Sequence, residues 1–210
     1  MDFSQFINSF IALLVISNPL SALPAVLKIT TNQTLVEKRK TGIVTAFAVF
    51  IILLVAIWIG KPLLLILGIR LPAFQIAGGI IIFTMAMSML SAEESPIKQT
   101  QEEQKKIIGE TGAIVPLAIP IIAGPGAIST LIVRVNAFPG IINMLLLSIA
   151  SLLVAFVMGF LLYFASDVEK WLGRSRINII NRLGGLILAA IAIQMIANGV
   201  GGFFPALCQA

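Results

Sequence analysis

Val15-Ile16-Ser17-Asn18-Pro19-Leu20-Ser21-Ala22-Leu23-Pro24 sits inside the first long apolar run of this 210-residue chain. Proline within a helix removes a backbone hydrogen bond and clashes with the preceding turn, whereas Asn is a favoured N-cap and Pro a favoured first helical residue. Asn18-Pro19 therefore reads as the start of a second half-helix. A later apolar run repeats the device as Ala123-Gly124-Pro125-Gly126-Ala127-Ile128-Ser129-Thr130. Pro19 and Pro125 are 106 residues apart, and so are the pairs Gly78-Gly79 and Gly184-Gly185. Thr45 with Ser151, Gln75 with Asn181, Ala86 with Ala192 and Met89 with Met195 fall in the same register. The chain reads as a duplication.

Its composition sets the class. Hydrophobic residues make up 59% of the chain and charged residues 11%, with a mean hydropathy of +1.06; a typical soluble domain is about 25% charged. Apolar stretches occupy approximately 6–27, 42–60, 71–90, 113–133, 141–165 and 183–203, each near the roughly 20 residues that a helix needs to cross a bilayer core. Continuous apolar runs such as 49–59 lack the period-2 alternation of a membrane β-barrel, and a spanning backbone must satisfy its own hydrogen bonds. The expected fold is an all-α membrane protein of six transmembrane helices in a single integral domain, 1–210.

Each expected repeat, about 1–90 and about 111–210, would hold three spans. An odd number forces the second half to enter the membrane from the opposite face, so the repeats are expected to be inverted. The joint at about 91–110, with Glu93, Glu94, Glu102, Glu103 and Glu110 among its lysines, reads as a solvated cytoplasmic linker. Eleven of the Lys and Arg residues follow spans one, three and five; Lys61, Arg70 and Arg134 are the three on the other side. The positive-inside rule then places both termini outside the cytoplasm. No basic n-region precedes the first apolar run, so it reads as a retained helix rather than a signal peptide. These cations sit in short loops without aromatic interleaving, which argues against a nucleic-acid partner despite the net charge of +5. The lone Cys208 provides neither an intrachain disulfide nor a cysteine metal cluster.

The breaks carry the functional expectation. From Phe6 to Asn18 is a rise of roughly 18 Å, against a core half-thickness of about 15 Å, which puts the break near the midplane. A helix interrupted there bares amide N–H groups at one half-helix and carbonyls at the other, and lipid satisfies neither. The positive N-terminal end favours a carboxylate and freed carbonyls favour an ammonium or a metal cation. A zwitterion such as an amino acid matches both. Asn18, Ser21, Gly124, Gly126, Ser129 and Thr130 are expected to border a central substrate cavity shaped by the helix-breaking Pro19 and Pro125, with Gln75, Gln194 and Asn198 as further polar lining. Gly78-Gly79 and Gly184-Gly185 read as helix-packing sites, with a role along a substrate path as the functional alternative. Tyr163, Trp58 and Trp171 read as interfacial anchors near span ends.

Asn18-Pro19-Leu20-Ser21-Ala22-Leu23-Pro24, Arg70-Leu71-Pro72-Ala73-Phe74-Gln75-Ile76-Ala77-Gly78-Gly79-Ile80, Val115-Pro116-Leu117-Ala118-Ile119-Pro120, Ala123-Gly124-Pro125-Gly126 and Arg182-Leu183-Gly184-Gly185-Leu186 together resemble the MarC family of bacterial inner-membrane proteins. That resemblance covers essentially the whole chain. It implies a six-helix protein of the bacterial inner membrane related to small neutral amino-acid transporters, and it speaks for the fold more strongly than for the cargo.

The chain has no His, and every Asp and Glu falls in a terminus or loop by these boundaries, so an intramembrane carboxylate relay is not expected. The expected partners are the lipid bilayer, a small neutral solute and a coupling ion, Na+ or H+, with facilitated diffusion and a loop-edge group such as Asp167 left open. A homo-oligomer is also open. No Ser-His pair, metal-ligand cluster or P-loop is present in the sequence, so catalytic residues, a metal site and cofactors are not expected. A secondary transporter or exporter leads; an ion channel or exchanger, or a membrane protein without transport activity, remains the alternative.

Overall fold

The computed structural model describes residues 1–20, 23, 30, 34–91 and 124–204. Helix α1 runs Phe3–Ser17, α2 Leu35–Ile66, α3 Leu71–Ser91, α4 Pro125–Ala137, α5 Ile141–Tyr163 and α6 Ala165–Phe203. The expected linker at about 91–110 and the first part of the fourth apolar run lie outside the described residues.

Local chemistry sets most of these boundaries. Asp2 opens α1 and Thr34 opens α2, each with a residue three further on reaching back: the Thr34 N–H donates to Glu37 Oε2 at 2.8 Å and the Glu37 N–H to Thr34 Oγ1 at 3.3 Å. Such reciprocal caps satisfy two amides that the first turn leaves unpaired. At the far end of α2, Gly68 takes a left-handed φ of 66°, its N–H bonds Leu65 O and the Ile69 N–H bonds Leu64 O at 2.9 Å. This paired closure consumes two of the carbonyls left over at the helix end.

Four helical segments are long and apolar enough to cross a membrane: Leu35–Ile66, Leu71–Ser91, Ile141–Tyr163 and Arg176–Phe203. α1 has 15 residues and α4 has 13, a rise of about 22 and 20 Å against a hydrocarbon core of about 30 Å. Both are therefore shorter than a span. α6 differs from the sequence expectation, which treated 166–182 as a charged loop. The helix starts at Ala165 and bends at Gly173, where φ is 69° and ψ 158°. Ala165 is buried and Val168 packs on the core, while Asp167 and Trp171 are exposed; the charge density that suggested a loop lies on a helical backbone.

The helices pair across the two halves of the chain. α3 lies on α6 and α2 on α5, while α4 touches α1, α2, α3 and α5. Exchanging the halves reproduces the pattern, since α1–α5 answers α2–α4 and α1–α6 answers α3–α4. The agreement extends to residues. A Cβ at Gly79 would stand 2.9 Å from the carbonyl oxygen of Ala192, and one at Gly185 would stand 3.1 Å from that of Ala86. Likewise Gly78 meets Met195 Cε and Gly184 meets Met89 Cε. α3 and α6 run antiparallel, for Pro72 lies at Gly199 and Gly202 while Met89 lies at Gly184. The packing reading of both glycine pairs is the one the contacts favour: bare backbone lets the helices approach closely, which matters in lipid where packing rather than water exclusion drives association.

Leu13, Leu53, Ile57, Ile82, Leu131, Leu147 and Met158 fill the centre. Outward faces are equally apolar, with Phe47, Ile66, Phe156 and Phe160 exposed. One end of the bundle joins the Met1 ammonium to Asn143 Oδ1 at 2.9 Å and stacks Arg70 over the Phe203 ring; the opposite end stacks Arg39 over Tyr163. Trp58, expected as an interfacial anchor, donates its indole N–H to Ser148 Oγ at 3.3 Å and so ties α2 to α5.

Candidate functional site

α1 stops inside its apolar run at the residue the sequence singles out. Asn18 has φ 38° and ψ 69°, the left-handed region, and its N–H bonds Leu14 O at 3.1 Å. Asn enters this region more readily than other non-glycine residues because its short side chain finds local partners. Helical geometry resumes at Pro19 and Leu20. The break is thus a left-handed helix terminus immediately followed by Pro19, whereas the sequence suggested an N-cap alone.

α4 begins inside the other apolar run. Gly124 is its N-cap, Pro125 its first residue, and the first intrahelical bond runs from the Ala127 N–H to Gly124 O at 3.0 Å. Gly124, Gly126, Ala127, Ser129, Thr130, Leu131, Ile132 and Val135 are buried. A short helix buried on nearly every side is central to the bundle.

The two ends meet. A Cβ at Gly126 would stand 3.4 Å from Ile16 Cγ2, 2.9 Å from Ile82 Cγ1 and 3.6 Å from Met85 Sδ. Gly78 faces Ser129 and Met195, and the Asn18 side-chain amide donates to Met89 Sδ at 3.4 Å. The terminus of α1, the first turns of α4 and the middle of α3 therefore share one buried region, which α6 joins through Met195. Ser17 is 3% exposed and Thr130 6%, and neither hydroxyl has a hydrogen-bond partner among the described residues. A buried hydroxyl left without a partner costs about 1–3 kcal/mol. No acidic side chain occupies the first turn of α4 and no basic one the last turn of α1, so neither of these two facing helix ends carries a compensating charge from its own helix.

The remaining expected residues divide plainly. Asn18, Gly124, Gly126, Ser129 and Thr130 belong to this region, and Ser21 lies outside the described residues. Gln75 packs near Gly199, three residues and about 4.5 Å along α3 from Gly78, the residue that faces Ser129. Gln194 and Asn198 are exposed, and Gln194 Nε2 stands 3.5 Å from Asn198 Oδ1. They are one turn apart on the side of α6 away from Gly78 and Gly79, so the structure does not bring these two amides to the meeting of α1 and α4. Sequence reasoning missed Met85 and Met89 as neighbours of the break; the Met89 and Met195 register was the available signal. Among the described residues no group of three or more His, Cys, Asp or Glu side chains could hold a metal ion.

Residues 3–204 match the family described as MarC family integral membrane protein. The chain is 40% identical over 209 residues to the UPF0056 membrane protein BU267 of Buchnera aphidicola subsp. Acyrthosiphon pisum, covering 98% of this chain and 96% of that one. It is 36% identical to the UPF0056 membrane protein YhcE of Escherichia coli strain K12, over 98% and 96% of the two chains. With the UPF0056 membrane protein YvbG of Bacillus subtilis strain 168 it shares 33% identity over 99% of each. These names state a membrane protein and no substrate. No solved structure matches the chain at a significant level.

Proposed function

The chain belongs to the MarC family of integral membrane proteins, and from that premise we propose that it is a multi-pass carrier of a small neutral solute, with an amino acid as the favoured class. The carrying observation is the meeting of Gly126, in the first turn of α4, with Ile16, beside the left-handed Asn18 that ends α1. One helix offers its positive end there and the other its negative end, and both lack a compensating side chain within the turn. A carboxylate suits the first and an ammonium the second. The unpartnered hydroxyls of Ser17 and Thr130 add hydrogen-bonding capacity in the same region.

The proposed architecture is two inverted three-helix repeats with interrupted first and fourth spans. Its support is the exchange of contacts between halves, Gly79 with Ala192 answering Gly185 with Ala86, across an antiparallel helix pair. Inverted repeats with broken helices suit alternating access, because two related halves can rock about a fixed midplane site. The lysine and arginine asymmetry supports an inner-membrane orientation with both termini outside the cytoplasm.

The test is counterflow in proteoliposomes preloaded with individual small amino acids, with Na+ and H+ gradients varied. Saturable exchange that depends on the internal solute is expected. Single-channel current without saturation would replace the carrier with a pore, and no flux of any small zwitterion would remove the proposed cargo class.

A further inference from the structure

Away from the buried region, an apolar groove of about 370 Å³ runs between α2 and α5, walled by Phe47, Phe50, Leu152, Phe156, Phe160 and Phe164. Phe47, Phe156 and Phe160 are 63%, 71% and 58% exposed. Ile43 and Tyr163 line this groove and also a second cavity of about 360 Å³, whose other walls include Arg39 and Lys40. The aromatic channel therefore opens at one end onto two cations. Arg39 rests on the Tyr163 ring at 4.7 Å, which holds its guanidinium at the junction. The neighbouring acid is committed elsewhere: the Glu37 carboxylate accepts from the Thr34 N–H at 2.8 Å and the Thr34 hydroxyl at 2.9 Å.

We propose that this groove is a binding site for an anionic glycerophospholipid, with one acyl chain along the phenylalanines and the headgroup phosphate between Arg39 and Lys40. The apolar part matches a methylene chain, which gains many small dispersion contacts from surrounding rings. The cationic part matches the phosphate in kind and in place. A guanidinium forms paired hydrogen bonds with phosphate oxygens and a lysine ammonium adds a point charge. A zwitterionic lipid brings its own cation to the same two charges, so a net negative headgroup is the better complement.

Native mass spectrometry of the purified full chain with equal phosphatidylglycerol and phosphatidylethanolamine tests the assignment. Wild type should retain phosphatidylglycerol in preference. Arg39→Gln with Lys40→Gln should reduce that preference roughly fivefold for each charge removed, the factor that about 1 kcal/mol per surface cation represents. Phe47→Ala with Phe156→Ala should lower retention of both lipids alike, because it removes the walls and leaves the charges. All four side chains are exposed, which spares the core. Lys61→Gln, at the far end of α2, should leave retention unchanged. Equal retention of the two lipids by wild type, an equal loss in Lys61→Gln, or a groove variant that binds as wild type does would each overturn the site. A protein dimer occupying the groove in place of lipid would overturn it as well.

Discussion

Gly79 sets its bare Cα against the carbonyl oxygen of Ala192, closely enough that a Cβ would stand 2.9 Å from that oxygen. The reverse contact, Gly185 against the Ala86 carbonyl, joins the residues 106 positions away on the opposite helix. Two such contacts make the α3–α6 interface a meeting of backbones, where a single added carbon is felt directly. Helix pairs that approach this closely gain dispersion energy along their whole length, and in lipid this is a principal source of cohesion.

The glycines of this interface should therefore differ in their tolerance of alanine. Gly79→Ala would also press on Ile196 Cγ1 at 2.6 Å, whereas Gly184→Ala meets only the flexible end of Met89 at 3.3 Å. We expect Gly79→Ala to cost about 1–3 kcal/mol through overpacking. Gly184→Ala should be neutral or gain up to about 1 kcal/mol from helix propensity. Gly185→Ala should fall between them. Thermal unfolding in detergent at matched concentration checks the order; equal effects at the three positions would contradict the backbone contact.

Much of this arrangement was legible in the residues. Composition gave an all-α membrane class, the two glycine pairs spaced by 106 residues marked places of helix packing, and Asn18-Pro19 and Gly124-Pro125 marked helix ends. Burial of Ser129 and Thr130 followed from the second of these. Other features depended on information that local sequence lacks. Gln194 and Asn198 are polar residues in an apolar run and were expected to turn inward, but Met195, Ile196 and Gly199 are the positions that face α3, which leaves the amides on the exposed side. Met89 was legible only as a register match, because its contact with Asn18 depends on how α3 crosses the end of α1. The 166–182 segment looked like a loop because its charge density hides the helical backbone it adopts.

Substitutions at Asn18 should follow the cost of left-handed backbone. Gly adopts φ near 38° without strain, whereas a β-branched residue is disfavoured there. Asn18→Gly should stay within about 1 kcal/mol of wild type, and Asn18→Val should lose roughly 1–2 kcal/mol or more. Met89→Leu removes the sulfur acceptor at nearly constant volume and should cost less than about 1.5 kcal/mol. Unfolding temperatures of the three purified variants give the test, and a Val variant as stable as the Gly variant would contradict the left-handed terminus.

The ends of the helices make a labelling prediction. Arg39 and Tyr163 share one end of the bundle, while Met1 and Asn143 share the other. With Cys208→Ser as background, Ala137→Cys should react with an impermeant maleimide in intact cells, and Val36→Cys only after the inner face is opened; both native residues are exposed. The reverse pattern would invert the proposed orientation. Labelling of both from the same side would break the assignment of ends.

The hydroxyls of Ser17 and Thr130 separate a structural role from a functional one. If they serve packing alone, removing them should help, because each is buried without a partner among the described residues and such a group carries a desolvation cost of about 1–3 kcal/mol. Ser17→Ala and Thr130→Val change shape little, so stability should hold or rise in both. Under the carrier proposal the same changes remove hydrogen bonds made only when solute is bound, and exchange should fall. Loss of one such bond to a charged group, about 1.5–3 kcal/mol, corresponds to roughly a 10- to 150-fold weaker apparent affinity. Unchanged unfolding temperature with a raised half-saturation concentration is the expected combination. Gly126→Val is a poorer probe than its position suggests, since its Cβ would already stand 2.9 Å from Ile82 and lost transport could then reflect lost packing. If Ser17→Ala and Thr130→Val are both as stable as wild type and exchange every tested solute at the wild-type half-saturation concentration, the meeting of α1 and α4 is not where the solute binds.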